Sequence, residues 1–192
     1  MGHTERSENV VGNVLFEGLA AYTLHDVAAE RNKLVSIWTK GKTMFNENTN
    51  KAVVGRWFEK FWGKAWDLSI VDEIAAPDML LKYSLHEPRR GHADIKAFMS
   101  DFRKAFPDLY FWGTADLIAE GDYVVGQWEG GGTHTGAAFG DFIQGALPAE
   151  TGRKMRFTGI TILKVVNGKI VEENGLDDGV TALTQLGILR KV

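Results

Sequence analysis

Two adjacent acidic residues, Asp177 and Asp178, stand at the end of the last strand that the sequence predicts. Side chains alternate between the two faces of a strand, so period-two counting places Asp178 on the same face as Asn174 and Leu176. A carboxyl group inside an aromatic pocket has its charged form disfavoured, which raises its pKa toward the range useful for general acid–base catalysis. Asp178 is therefore the first catalytic candidate, and Asn174 is a candidate substrate contact. The alternative is that Asp178, or equally Asp177, caps the C-terminal helix.

A second candidate, His134, lies in the glycine-rich segment 130–136 at the end of a predicted strand. An imidazole there could hydrogen-bond a substrate oxygen or relay a proton near neutral pH. The alternative is a turn histidine that anchors the loop. The glycines do not predict a phosphate site, because no Walker-type lysine and no helix follow them.

A metal centre is not predicted. The chain has no cysteine, and His86, His92 and His134 are far apart without the helical His-x-x-x-His spacing of zinc sites. We therefore expect neither a metal nor an organic cofactor.

Composition narrows the class of partner. The net charge is −3, and the 22 basic residues are interspersed with 25 acidic ones, so nothing resembles a nucleic-acid-binding stripe. No apolar run is long enough to cross a membrane and no signal peptide is visible, which predicts a cytoplasmic protein.

Six Trp and eleven Phe favour a pocket for a flat hydrophobic molecule, although an aromatic core is the alternative. Candidate pocket walls are Trp57, Trp62 and Trp128.

The periodicity of apolar residues predicts an α+β fold. Helical spacing occurs over 53–62, 67–75 and 91–106, and a strand is predicted over 79–86. From residue 109 the period becomes two, with hairpins at 120–122 and at Asn167-Gly168, and a last short helix begins at Gly179. We expect a curved antiparallel sheet with the helices segregated from it. Residues 137–150 are a predicted loop whose apolar side chains fold over the pocket mouth or into a subunit contact.

The N-terminal part is predicted to be a separate helical extension, residues 1–48, preceding a domain of residues 49–192. Residues 10–22 are apolar, a helix capped by Asp26 should run through Trp38 to a stop at Gly41, and 42–50 reads as a polar linker.

Several short motifs within residues 50–190 resemble the SnoaL-like family of the nuclear-transport-factor-2-like superfamily. They occur in family order: VVGRWFEKFW (53–62), AAPD (75–78), KAFMSDFRKAFPDL (96–109), DLIAEGDYVV (116–125), GTHTG (132–136), TGR (151–153), FTGI (157–160) and NGKIVEE (167–173), followed by Asp178.

The resemblance implies a cone-shaped sheet, closed by helices around one apolar cavity, and a homodimer or higher homo-oligomer. It implies that Asp178 is the general acid and base, and that Tyr83 and His86 are polar groups facing the cavity. The segment 82–86 departs from the family's aspartate–histidine pair, and Lys164 stands where some cyclases carry a histidine.

The function predicted from these features is cofactor-independent acid–base catalysis on a hydrophobic aromatic or polyketide-like molecule. A cyclase, an isomerase and a carbon–carbon lyase of aldol or retro-aldol type all fit. The alternative is a non-catalytic small-molecule-binding or interaction domain, because a fold alone does not decide function.

Overall fold

The computed structural model describes the chain from Leu24 to Arg190. Its helices are α1 (Leu24–Trp57), continued by a π-helical turn (Phe58–Trp62), α2 (Ser69–Ile74), α3 (Gly91–Ala105) and α4 (Gly179–Gln185). Its strands are β1 (Ala75–Tyr83), β2 (Arg89–Arg90), β3 (Tyr110–Gly113), β4 (Ile118–Glu120), β5 (Tyr123–Thr133), β6 (Phe139–Phe142), β7 (Gly145–Leu147), β8 (Lys154–Val166) and β9 (Lys169–Asp177).

The sheet confirms the predicted α+β class. Strands run in the order β2-β1-β9-β8-β5-β3, with β4 paired to the other part of β5. Neighbouring strands are antiparallel except β1 and β9, which run parallel to each other and lie far apart in sequence. The first and last strands of the sheet region are thus neighbours, and the residues at their ends, near Tyr83 and Asp177, come together.

Helix α1 is longer than predicted. It runs for 34 residues through Gly41 and through the whole of the predicted linker 42–50. Gly41 weakens a helix but does not end one. The polar residues of the supposed linker make specific contacts, since Asn50 donates to the carbonyl of Gly121 at 3.1 Å and Glu47 accepts from the Gly121 N–H at 3.2 Å. The prediction of a linker is therefore wrong.

The chain divides into the units Met1–Met44 and Phe45–Val192. The apolar stretch 10–22, which we assigned to the extension, lies outside the described residues, and the boundary at residue 48 stays a prediction.

Helix α3 packs its apolar face against the sheet, as its spacing predicts. Ile95, Phe98, Met99 and Phe102 are buried in the core. The adjacent Arg103 is also buried and donates to the carbonyl oxygens of Phe61, Gly63 and Leu109. Burial lowers the pKa of Arg103 to about 10, so the guanidinium stays charged at neutral pH while it fixes the end of the π-helical turn.

The predicted loop 137–150 contains a small hairpin, β6–β7, outside the main sheet. Phe139, Phe142 and Leu147 are buried in the same core as the sheet and helices, whereas Ile143 is exposed. The N–H of Ile143 donates to the carbonyl of Leu85 at 3.1 Å, and the backbones of His86 and Phe142 form an isolated antiparallel β-bridge. The apolar residues of this segment therefore belong to the core, and its backbone is attached to the residues that follow β1.

Candidate active site

A mostly apolar pocket lies between the inner face of the sheet and the helices of the second unit. The free space in and around it is about 360 Å³, which includes open solvent at its mouth. Aromatic rings form most of the wall, and the imidazole of His86 and the carboxyl of Asp177 interrupt it. The lining residues are Phe58, Trp62, Tyr83, Leu85, His86, Phe102, Phe111, Trp128, Phe157 and Asp177.

Asp177, not Asp178, is the acid that reaches this pocket. An extra residue, Val171, interrupts the pairing of β9 with β8, so that Ile170 pairs with Val165 but Glu172 pairs with Lys164. Such a bulge shifts the alternation of side chains by one residue. The inward face of β9 beyond the bulge is consequently Glu173, Gly175 and Asp177.

Burial raises the pKa of Asp177, and the negative charge of Asp178 raises it further. A hydrogen bond from Ser84 Oγ at 2.5 Å and the charge of the nearby His86 oppose this effect. The net result is a pocket carboxyl that holds its proton more tightly than an ordinary aspartate, which is the property that acid–base catalysis near neutral pH requires.

Asp178 instead caps α4. Its Oδ1 accepts from the backbone N–H of Thr181 at 3.2 Å, and hydrogen bonds from Thr181 lower its pKa. The expected pocket position and raised pKa of Asp178 are therefore wrong. Asn174 and Leu176, counted on the same face, are exposed, and Leu176 has 74% of its surface accessible. The expectation that Asn174 faces the pocket is wrong for the same reason.

His134 is placed as a structural residue. It is fully buried, and its two ring nitrogens are both engaged: Nε2 donates to the carbonyl of Ala137 at 2.8 Å, and Nδ1 lies 2.9 Å from Thr151 Oγ1. The ring packs on Phe106 and is not part of the pocket wall. This geometry matches the alternative that His134 anchors its loop, and it contradicts the expected contact with substrate.

His86 does line the pocket, and its ring is tightly held. It packs against the rings of Phe98, Phe102, Phe139 and Phe142. Its Nδ1 lies 3.1 Å from Asp141 Oδ2. Its position next to Asp177 brings an imidazole and a carboxyl together on one side of the pocket.

Behind the pocket wall lies a buried carboxyl, Glu173. It accepts from Trp57 Nε1 at 2.7 Å, Trp62 Nε1 at 2.9 Å and Tyr83 Oη at 2.6 Å. Burial raises the pKa of Glu173 to about 7, against the hydrogen bonds from these three groups. The predicted pocket residues Tyr83 and Trp62 line the pocket, but Trp57 does not: it stacks on Phe61 in the core and donates to Glu173.

Trp128, another predicted pocket residue, also lines the pocket. Its Nε1 donates to Thr161 Oγ1 at 2.7 Å, and Thr161 Oγ1 lies 2.9 Å from Tyr83 Oη. The polar edges of three wall residues, Trp62, Tyr83 and Trp128, are thus satisfied behind the wall, which leaves their apolar rings to face a ligand.

Sequence reasoning missed Asp177, Glu173 and Asp141. The sequence contains one signal for Asp177 and Glu173. The alternation of apolar and polar residues breaks after Ile170, at Val171, Glu172 and Glu173, and such a break is typical of a β-bulge. Nothing local marks Asp141, because its role depends on the hairpin folding back onto β1.

Within residues 24–190, no group of three His, Asp or Glu side chains is arranged to hold a metal ion. The same residues include no helix long and apolar enough to cross a membrane.

Residues 52–186 match the model of a family described as SnoaL-like polyketide cyclase. A search of curated proteins found no significant match.

Solved structures resemble the chain over most of its length. A candidate SnoaL-like polyketide cyclase from Jannaschia sp. CCS1 is 22% identical, with a TM-score of 0.63 over 76% of this chain and 96% of that one. IdmH, a candidate polyketide cyclase from Streptomyces antibioticus, is 26% identical, with a TM-score of 0.55 over 72% and 98%. AclR, a candidate hydroxylase from Streptomyces galilaeus, is also 26% identical, with a TM-score of 0.55 over 78% and 89%.

Proposed function

The chain belongs to the SnoaL-like polyketide cyclase family, and from that premise we propose that it catalyses cofactor-independent proton transfer on a hydrophobic aromatic or polyketide-like molecule. Asp177 and His86 take the roles first considered for Asp178 and His134. Cyclisation of aldol type is the reaction that the family relationship favours. An isomerase or a retro-aldol carbon–carbon lyase would use the same groups.

The observation that supports this proposal is a carboxyl of raised pKa beside an imidazole in an otherwise aromatic pocket. Flat apolar walls hold a polycyclic or polyketide skeleton and exclude water, so the two polar groups meet the few oxygens and acidic C–H bonds of such a ligand.

The proposed reaction needs one base and one acid. The base removes a proton from the carbon next to a carbonyl, and the resulting enolate attacks a second carbonyl carbon of the same molecule. The acid then delivers a proton to the new alkoxide oxygen. Aldol closure adds no atom and leaves the oxidation state of the molecule unchanged, and the retro-aldol reaction reverses the same steps.

A matched pair of variants tests the proposal, because adjacent carboxyls face different environments. With the native enzyme and a panel of aromatic and polyketide ketones, we expect Asp177→Asn to lower turnover about 100-fold or more. Asp178→Asn should keep most of the activity, since an amide also caps a helix.

Equal activity of Asp177→Asn and native protein on a turned-over substrate would remove Asp177 from the mechanism. Tight binding of such ligands with no turnover by the native protein would favour the alternative, a non-catalytic binding domain.

A further inference from the structure

Nδ1 of His86 faces two groups of Asp141, and both can only accept a hydrogen bond. This nitrogen is 3.1 Å from Asp141 Oδ2 and 3.3 Å from the backbone carbonyl of Asp141. A carboxylate and a carbonyl have no proton to donate, so Nδ1 must carry one. In the neutral ring, Nε2 is then the nitrogen with a free lone pair.

The second ring nitrogen remains available to a ligand. His86 Nε2 has no hydrogen bond within residues 24–190, and over the same residues the fully enclosed side-chain atoms without a partner are Arg89 Nε and Arg103 Nε alone. Nε2 is therefore not sealed in the core. Because the residue lines the pocket, we take this atom to be the part of His86 that a substrate can reach.

The hairpin β6–β7 supplies most of what fixes this ring. It contributes Asp141 at Nδ1 and the rings of Phe139 and Phe142, the latter stacked on His86 with centroids 5.2 Å apart. Asp141 is itself held, since Arg89 binds its Oδ1, and Arg89 lies over the ring of Phe98. The carboxylate thus bridges a fixed cation and the imidazole.

We propose that Asp141 is a positioning residue for the reaction: it keeps the proton of His86 on Nδ1 and aims the Nε2 lone pair into the pocket. This inference rests on the proposed function, in which His86 transfers protons. Nε2 takes a proton from the substrate, the Nδ1 proton stays in its hydrogen bond to Asp141, and the carboxylate stabilises the imidazolium that forms. One proton in all returns to the product: Nε2 gives its proton to the alkoxide oxygen, or to Asp177 once Asp177 has protonated that oxygen, and the starting state is restored.

The charged groups around His86 come from three elements. Asp141 lies on β6, Asp177 on β9 and Arg89 on β2, and Arg89 also lies 3.6 Å from Asp94 on α3. Arg89 offsets part of the negative charge of Asp141. The arrangement therefore orients the imidazole without leaving an unpaired, half-buried carboxylate behind it.

The tautomer of His86 can be measured without a substrate. In protein labelled with ¹⁵N in the histidine rings, couplings from the ring nitrogens to the ring protons show which nitrogen is protonated, and His86→Gln assigns the signal. We expect the neutral ring to be protonated on Nδ1. In Asp141→Asn, loss of a hydrogen bond to a charged group should make that proton exchange with water about tenfold faster or more.

Asp94→Asn is the matched control, because Asp94 also faces Arg89 but does not contact His86; its His86 signals should match those of the native protein. Unchanged signals of His92 and His134 show that each variant is folded. A native His86 protonated on Nε2, or an Asp141→Asn signal identical to the native one, would overturn the proposal. The native tautomer alone decides the matter if Asp141→Asn fails to fold.

On a substrate that the enzyme turns over, Asp141→Asn should lower kcat with little change in KM, and it should add nothing to the loss caused by His86→Gln. Full turnover by both His86→Gln and Asp177→Asn would instead refute the proposed function, whatever the tautomer is.

Discussion

At the scale of single residues, Glu173 shows why a charged group can sit in the core behind an aromatic wall. Both indoles that reach it can only donate, so the ionised carboxylate matches its partners. Burial nevertheless disfavours the charge and raises the pKa of Glu173 to about 7. Burial first, and then the charge of Glu173, raises the pKa of Tyr83 well above its usual range. Tyr83 is therefore a hydrogen-bond donor in the wall and not a base.

This carboxyl should make stability depend on pH. Its pKa rises from 4.5 to about 7 on folding, so the folded state holds the proton more tightly than the unfolded chain. The stabilisation is complete below about pH 4.5 and is lost as pH rises through about 7, with a slope of at most about 1.4 kcal/mol per pH unit. Urea unfolding of native protein and Glu173→Gln between pH 5 and 8 measures it, and the variant should lack this slope.

Trp57→Phe serves as the control for that measurement. It removes one donor to Glu173 and keeps the titrating group, so the slope should persist although the protein is less stable. A Glu173→Gln variant that retains the native slope would show that another group is responsible.

At the scale of elements, the π-helical turn explains how Trp57 and Trp62 reach one carboxylate. Residues five apart point in different directions on an α-helix, which has 3.6 residues per turn. The wider turn over Phe58–Trp62, with its i→i+5 hydrogen bonds, brings positions five apart onto the same side. Arg103 holds the carbonyls at the end of this turn. A change of helix type therefore puts both indole N–H groups on Glu173.

Regular periodicity made most elements predictable, and its interruptions made the site unpredictable. The helix at 91–106 and the hairpins at 120–122 and 167–168 lie where spacing and turn residues place them. The bulge at Val171 exchanges the faces of Asp177 and Asp178, because one extra residue reverses the alternation of a strand. The helix predicted from local sequence also ends too early, at Gly41. Its continuation is stabilised by contacts with Gly121, which lies far along the chain and leaves no local signal.

Local packing predicts opposite effects on stability for alanine substitutions at two glycines, Gly175 and Gly41. A Cβ added at Gly175 in β9 would lie 2.1 Å from the ring of Tyr83, and a shift of that ring would disturb its hydrogen bonds to Glu173 and Thr161. We expect Gly175→Ala to lower the free energy of unfolding by about 1–3 kcal/mol. Gly41 in α1 has nothing within 4 Å, so Gly41→Ala should raise helix stability by up to about 1 kcal/mol.

Thermal and urea unfolding compare the two glycine variants directly. A neutral Gly175→Ala would mean that the wall of the pocket yields easily, and it would weaken the picture of Tyr83 as a fixed residue.

At the scale of the whole molecule, the residues between Leu24 and Arg190 include two groups of large exposed apolar side chains that share one face of an element. One lies on the outer face of β8 and β9, where Ile160, Ile162 and Leu176 are exposed, opposite the face that carries the pocket. The other lies on α1, where Leu34, Ile37 and Trp38 recur at helical spacing and Trp38 has 68% of its surface accessible. Contiguous exposed apolar surface is typical of a protein interface. The homo-oligomer implied by the family resemblance stays a prediction, and these two surfaces are the candidates for its interface.

The N-terminal extension should contribute to that assembly. The face formed by Leu34, Ile37 and Trp38 gains stability if a neighbouring subunit covers it, because about 25 cal/mol is gained for each Å² of apolar surface removed from water. The double variant Leu34→Gln/Trp38→Glu should therefore lower the mass measured by sedimentation equilibrium, or the melting temperature, and deletion of residues 1–45 should do so at least as strongly.

Ser36→Glu is the control, since it adds the same charge on the opposite face of the helix and should leave both quantities as in the native protein. If the double variant and the deletion both keep the native mass, stability and activity, the extension is dispensable, and the outer face of the sheet must account for any oligomer.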